Sequence, residues 1–400
     1  MNQFYNFRKM VAKSKEIWDR SAEYGLLNIK VRNIGDGFME TEDGHKFINL
    51  ISGSYLNLDE DPRLIQGAID ELQKMLALDP ACSRIRIQFI ALAETEEILS
   101  ELFDTPTITG TTSSALSQHI LPLIASGALT NDNKPIMLFD REAHFTLNIN
   151  KAICADETTI VTCPHNDVNF IEDYCKKHPA VAYVADGAYS SGGNAPMEDL
   201  LYLQNKYGLF LYFDDAHALS AFGKHGCGYA KSFMPEMSDN SIVVSTMGKG
   251  FGASGGLAMI TKKHEKLIKT FIGPLLWSQD LNTAALGAVK ASAAIHASEE
   301  LVALQKKLQE NLKFFDKLID SDFKGLKLPV RFISVSTSEH ALFCARELYH
   351  RGFYTSALFH PIIPKGRAGV KLALRVKISK TMIEKLCNDI KEVLVLRESI

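Results

Sequence analysis

Apolar residues recur along this chain in two rhythms. From about residue 105 they come in short unbroken runs, at 135–139, 159–161, 180–185, 209–213, 242–245 and 257–260. Runs of that length bounded by polar residues predict strands, and helical stretches separate several of them. Such alternation predicts an α/β domain with a mostly parallel sheet. Elsewhere the period is helical. Asp61-Pro62 opens a predicted helix carrying Leu64, Ile65, Ala68, Ile69 and Leu72. Residues 14–32 predict a polar helix that enters an extended segment, and residues 35–50 a hairpin turning at Glu42-Asp43-Gly44. Helix-rich sequence over 284–319 leads to predicted strands at 331–336 and 369–374 and a last helix from about Lys380. The expected organisation is an N-terminal segment, 1–58, packing with the small domain. A large domain follows at 59–290, and a smaller C-terminal α+β domain at 291–400.

Composition narrows the class. At 400 residues, 46% hydrophobic and 23% charged, the chain can bury a large core. A formal net charge of −3 with no block of like charge gives no basis for nucleic-acid binding or a membrane-surface role. No apolar stretch reaches the roughly 18–20 residues of a membrane span. The first ten residues lack the apolar core of a signal peptide. Seven dispersed cysteines without a Cys-x-x-Cys pair fit reduced thiols, so a cytoplasmic location is expected.

Two strand ends carry the candidate chemistry. The run 209–213 ends in Asp214-Asp215-Ala216-His217, and the run 242–245 leads to Thr246-Met247-Gly248-Lys249-Gly250. A lysine and a carboxylate at neighbouring strand ends suit pyridoxal phosphate (PLP). The amine forms an imine with the cofactor aldehyde, and the carboxylate keeps the pyridine nitrogen protonated so that the ring accepts electrons. In open α/β sheets, ligands bind at the carboxyl ends of strands. Lys249 alone reads as a solvated loop lysine, and Asp214 alone as a helix N-cap; together they point to the cofactor. Asp215 is the better capping residue. His217 is placed to bond the phenolic oxygen of the cofactor, or is a satisfied core histidine. His144, just beyond a strand, offers a flat ring to stack on the cofactor. Gly110-Thr111-Thr112-Ser113-Ser114-Ala115 precedes a predicted helix, which makes an anion site for the phosphate or a plain N-cap. Gly250-Phe251-Gly252-Ala253-Ser254-Gly255 also fits G-x-G-x-x-G, but no strand-ending acid stands about 20 residues on, as a dinucleotide site needs. His217, His225 and Cys227 lack zinc-ligand spacing, so no metal is expected.

Asp-Asp-Ala-His at 214–217, followed by Thr-x-x-Lys-x-x-Gly-x-x-Gly-Gly at 246–256, resembles the α-oxoamine synthase family of fold-type I PLP enzymes. The likeness runs through most of the chain. Asp43-Gly44-His45-Lys46 resembles the family's opening hairpin, and Ser52-Gly53-Ser54-Tyr55-Leu56-Asn57-Leu58 its Ser-Asn-x-Tyr-Leu-Gly-Leu. His165-Asn166-Asp167, Asp186-Gly187-Ala188-Tyr189-Ser190 and Pro361-Ile362-Ile363-Pro364-Lys365-Gly366 also have counterparts. The resemblance implies a fold-type I transferase with residues 59–290 as the PLP-binding domain. It makes Lys249, Asp214 and His144 the catalytic residues and Asp214 the partner of the ring nitrogen. It places His217, Ser113, Ser114, Thr246, Asp186 and Ser190 around the cofactor. It further implies a homodimer with sites at the subunit interface.

Departures from the pattern fall on the substrate side. Gly53 stands for the family's asparagine, and Phe359 for an arginine that binds the amino-acid carboxylate. Gln279 replaces a threonine that reaches the neighbouring subunit's phosphate, and the turn 83–88 lacks its glycine. Arg367, Arg375 and Arg20 are the replacement cations to consider. The expected reaction is decarboxylative condensation of an amino acid with an acyl thioester, on CoA or an acyl carrier protein, to an α-aminoketone. An aminotransferase on the same fold is the alternative, and a non-catalytic scaffold the more distant one.

Overall fold

The computed structural model describes residues 7–79, 83–271, 273–360, 362–363 and 365–396. The described residues gather into two compact units, one from Asp61–Tyr189 and Asn194–Val302, the other from Asn6–Glu60, Ser190–Gly193 and Ala303–Ile400. Among the described residues no helix is long and apolar enough to cross a membrane.

The second unit opens with the helix Phe7–Glu23, followed by β1 (Val31–Gly35), β2 (Phe38–Thr41) and β3 (Lys46–Asn49). The helix starts earlier than expected, and within 14–32 it gives way to an extended segment as expected, Gly25 at φ +70° turning the chain out of it. Strands β2 and β3 form the hairpin expected over 35–50.

In the first unit the strands are β4 (Thr107–Gly110), β5 (Ile136–Asp140), β6 (Ile160–Cys163), β7 (Val181–Asp186), β8 (Phe210–Asp214), β9 (Ser241–Thr246) and β10 (Gly256–Met259). They form one sheet in the order β4-β10-β9-β8-β7-β5-β6. From β6 to β9 every neighbour is parallel, while β10 is antiparallel to both β9 and β4. The loop 247–255 is too short for a crossover, so the chain returns antiparallel. Successive residues of β8 enter different clusters: Leu211 and Phe213 one, Phe210 and Tyr212 the other. Burial on both faces is why these strands read as unbroken apolar runs. Strand β4, Thr-Ile-Thr-Gly, escapes that pattern because its threonines are buried through hydrogen bonds. Thr109 donates N–H and Oγ–H to Glu96 Oε1, at 2.8 and 3.1 Å.

The helical stretch expected over 284–319 is two helices, Thr283–His296 and Glu299–Leu318. The second unit continues with β11 (Val330–Val335), β12 (Phe353–Tyr354), β13 (Ser356–Phe359) and β14 (Ala368–Ala373), and ends in the helix Lys380–Leu396. Strand β12 joins β3 in a sheet β1-β2-β3-β12, and the rest form the antiparallel sheet β11-β14-β13. Phe359 is buried with Leu26, Ala341, Leu342 and Ala345, so that position belongs to the core of this unit. Pro361 and Pro364 of the Pro-x-x-Pro motif lie outside the described residues.

Candidate active site

The carboxyl edge of the parallel strands gathers most of the expected residues. Strand β8 ends in Asp214 and β7 in Asp186, and the two face each other in register. Strand β9 ends in Thr246, three residues before Lys249. His144 follows the end of β5, and Ser113 and Ser114 open the helix Ser113–Ala125 just past β4.

Lys249 Nζ lies 3.0 Å from His217 Nε2. Burial lowers the lysine pKa, against the pull of Asp214 and Asp186. Burial pushes the Asp186 carboxyl well above the ordinary carboxylate range, and the charge of Asp214 pushes it further. Asp214 is raised by burial too, with Lys249 opposing. Asp214 Oδ1 accepts the Ala216 N–H at 3.0 Å, and Asp186 Oδ1 accepts the His144 N–H at 3.1 Å. Two buried carboxyls thus lie within electrostatic reach of one amine, that of Lys249.

The turn at 112–113 is built by close backbone approach. Gly256 stands in register with both Gly110 and Thr246. A Cβ there would lie 2.2 Å from the Ser113 nitrogen, so only glycine lets β10 run beneath the turn 112–113. Thr112 caps the helix by accepting the Ala115 N–H at 3.0 Å. Ser113 and Ser114 then place their hydroxyls at a helix N-terminus, where an anion is favoured. Thr246 Oγ1 accepts the Gly248 N–H and donates to the Gly255 carbonyl, both at 3.2 Å, which fixes the turn carrying Lys249. The G-x-G-x-x-G at 250–255 therefore joins two strands, and opens no helix as a dinucleotide site requires.

His144 has an exposed imidazole with Nδ1 2.9 Å from Thr146 Oγ1. Asp215 departs from expectation. No helix follows it; its Oδ2 accepts the Ala230 N–H at 2.8 Å, at the start of the helix Tyr229–Ser232. Burial pushes its pKa up to about 7. Ser190 groups with the other compact unit, as do Arg20, Arg367 and Arg375. There Arg20 pairs with Glu339, and Arg367 lies 3.5 Å from Asp322 and over the Phe332 ring. Arg375 is 2% exposed, and its Nε and Nη2 have no hydrogen-bond partner.

Sequence reasoning gave Asp140 no role, though it ends an apolar run as Asp214 does. It is fully buried and accepts from His165 Nδ1 at 2.9 Å, the Asn166 N–H at 2.8 Å and Tyr183 Oη at 2.7 Å. Burial works against its charge, but these donors hold its pKa below the ordinary carboxylate range. It also accepts the Glu142 N–H at 2.8 Å, and so braces the loop that carries His144.

The sheet order and this edge define a fold-type I PLP transferase. The chain belongs to the aminotransferase class I and II family, whose model matches residues 147–390. It is 28% identical over 376 residues to the 8-amino-7-oxononanoate synthase of Coprothermobacter proteolyticus, covering 90% of each chain. To the synthase of the same name from Petrotoga mobilis it is 26% identical over 370 residues, covering 89% of this chain and 90% of that one. Among solved structures, the serine palmitoyltransferase of Sphingomonas wittichii superposes with a TM-score of 0.83 at 18% identity, over 96% of this chain and 98% of that one. The 8-amino-7-oxononanoate synthase of Francisella tularensis gives 0.71 at 19% identity, over 88% and 99%.

Proposed function

We propose that this chain is a PLP-dependent acyltransferase. It joins an amino acid to an acyl thioester, releasing carbon dioxide and thiol and leaving an α-aminoketone. The bond from Cα to the carboxylate and the acyl C–S bond break, one C–C bond forms, and one proton is taken up as the free thiol leaves. The observation that carries this reading is the half-buried Lys249–His217 contact of 3.0 Å, at the sheet edge where Asp214 and Asp186 stand in register. The choice of condensation over transamination rests on the relatives: 8-amino-7-oxo describes an amine carbon next to a ketone carbon.

Bound PLP supplies an electron sink for negative charge at Cα. The residues supply the rest. Asp214 would hold the ring nitrogen, the turn at Ser113 and Ser114 would hold the phosphate, and His144 would lie against the ring. Lys249 Nζ, with its pKa lowered by burial, takes the Cα proton and returns it, and His217 orients that amine. In this reading 59–290 is the PLP-binding domain, with 1–58 and 291–400 forming the smaller one. Among the three candidate cations for the substrate carboxylate, Arg375 has the most distant partner, Asp59 at 4.0 Å, against Asp322 at 3.5 Å for Arg367 and the direct Arg20–Glu339 pair.

A homodimer is part of the proposal. Leu76, Leu78, Ile87, Ile90 and Trp277 are each at least 60% exposed. They lie on two segments that touch: Thr283 donates its N–H to the Leu78 carbonyl, and Arg84 meets Asp280 at 3.2 Å. An apolar surface of this kind is what a second copy would cover. The reducing cytoplasm is the setting, supported by the free thiols of Cys154, Cys163, Cys175, Cys227, Cys344 and Cys387.

The test is mass spectrometry of products after incubation with pooled amino acids and acyl thioesters, on CoA and on a carrier protein. An α-aminoketone with stoichiometric free thiol is expected. Keto acids without thiol release would replace this reading with transamination.

A further inference from the structure

His296 is a fully enclosed titratable group near the site that the proposed chemistry leaves unused. It is fully buried on the helix Thr283–His296. Its Nδ1 lies 2.8 Å from the Ser292 carbonyl, which only accepts, so Nδ1 carries the hydrogen. Nε2 is then bare, and it accepts the Ser220 hydroxyl at 2.8 Å. Burial lowers the His296 pKa to about 4, with the nearby His225 adding to the effect, so the ring stays neutral and this polarity is fixed.

Both partners of His296 belong to loops that carry the reacting nitrogens. Ser220 follows His217 by three residues and takes φ +70°, a conformation that costs a serine something and that the bond to His296 helps to hold. Phe251 follows Lys249 by two residues, and its ring stacks on His296 at 4.3 Å and 28°. One turn back on the same helix, Ser292 donates its hydroxyl to the Phe251 carbonyl at 2.6 Å. The loops also touch each other directly. A Cβ on Gly250 would lie 2.7 Å from the Leu219 carbonyl and 3.0 Å from Ser220 Cβ. The His217 loop and the Lys249 loop are therefore seated on one helical turn.

We infer that Ser220 and His296 form a buried pin that sets the approach of His217 to Lys249, which makes them positioning residues for the proton-handling amine. The role rests on the proposed use of Lys249, but the geometry does not. A pin of this kind acts on the orientation and basicity of Nζ and not on substrate contact. Misplacement by an ångström at such a point costs on the order of 100-fold in rate.

The test uses the full chain saturated with PLP and the variants Ser220→Ala, Ser220→Gly and His296→Gln. The first readout is the pH titration of the absorbance of the Lys249-bound cofactor, measured without substrate. Ser220→Ala is expected to move its midpoint by about half a pH unit or more, since a change in the Lys249 surroundings is a change in its charge balance. His296→Gln keeps a side-chain acceptor for the serine and is expected to stay closer to wild type. The second readout is kinetic: kcat falls roughly 10-fold or more in Ser220→Ala while KM stays within about 2-fold. Ser220→Gly removes the backbone cost, so it remains folded if Ser220→Ala does not, and it is expected to show the same midpoint shift. A wild-type midpoint in every variant that folds, with only the melting temperature lowered, would show that the pair is structural and overturn the inference. If wild type proves inactive with all thioesters, the proposed function fails and the absorbance midpoint still decides for or against the pin.

Discussion

Replacing Asp214 by asparagine probes the site where its charge balance is decided. Asparagine keeps an oxygen for the Ala216 N–H, now 3.0 Å from the carboxylate, and is nearly the same size. The turn after β8 should survive. What is lost is one of two buried carboxyls facing each other at the ends of β7 and β8. Without cofactor the change relieves repulsion on Asp186, so stability should match or exceed wild type. With cofactor it removes a charge-assisted bond to the ring nitrogen. Bonds to charged groups contribute roughly 1.5–3 kcal/mol net, about 10- to 150-fold in an equilibrium. PLP affinity should fall within that range, and kcat at saturating PLP should fall further, because an unprotonated ring is a poor electron sink. Asp215→Ala is the control. It leaves the buried Ala230 N–H unpaired, a loss of about 1–3 kcal/mol in stability, and should keep its activity per folded, PLP-bound chain. PLP titration, thermal unfolding and steady-state kinetics on both variants separate these effects. An active Asp214→Asn beside an inactive Asp215→Ala would refute the assignment of the two carboxyls.

The purified protein should be yellow, and borohydride reduction followed by peptide mapping should place the cofactor on Lys249; a label on any other lysine contradicts the site. Arg375→Ala should raise KM for the amino acid about 10-fold or more, as loss of a charge-assisted bond implies, while Arg367→Ala and Arg20→Ala leave it nearly unchanged because those cations have closer partners than Arg375, whose Asp59 stands 4.0 Å away. Equal effects in all three would reject Arg375 as the anchor. The folded pKa of His296 is depressed to about 4 from 6.5, so the unfolded chain binds the proton first, and stability present above pH 6.5 is lost as pH falls towards 4. The loss amounts to roughly 3 kcal/mol at the acid end. Asp215 works the opposite way, its folded pKa being raised to about 7, so the clean measurement is the difference between wild type and His296→Phe in denaturant unfolding from pH 7 to 4. A pH-independent difference would contradict the neutral, buried ring.

What could be read from the sequence depended on how far apart in the chain the interacting groups lie. Asp214 was read from the apolar run it ends and Lys249 from a turn three residues past another, while Asp186 came from the family resemblance alone; the parallel sheet brings the ends of β7, β8 and β9 to one edge. The register that sets Asp186 opposite Asp214 is a product of that topology, since unbroken apolar runs buried on both faces do not by themselves specify it. Strand β4 was not legible, because its two threonines are buried by hydrogen bonds, Thr109 to Glu96 and Thr107 to Ser100 and the Thr105 carbonyl, and Glu96 and Ser100 sit on a helix upstream. Asp215 was misjudged for the same reason: its partner N–H is at Ala230, beyond a segment that looked able to start a helix and instead forms turns. The Ser220–His296 pair spans 76 positions, and neither residue carries a local sign of the other. Phe359 shows the reverse case. The sequence revealed only that a donor was missing there, while its burial against Leu26, Ala341 and Leu342 shows that the position had been given over to packing. The groups that perform chemistry must present themselves at strand ends, where local sequence is constrained and informative. The groups that aim them are free to come from anywhere the fold brings close, so the support around Lys249 had to be found in three dimensions.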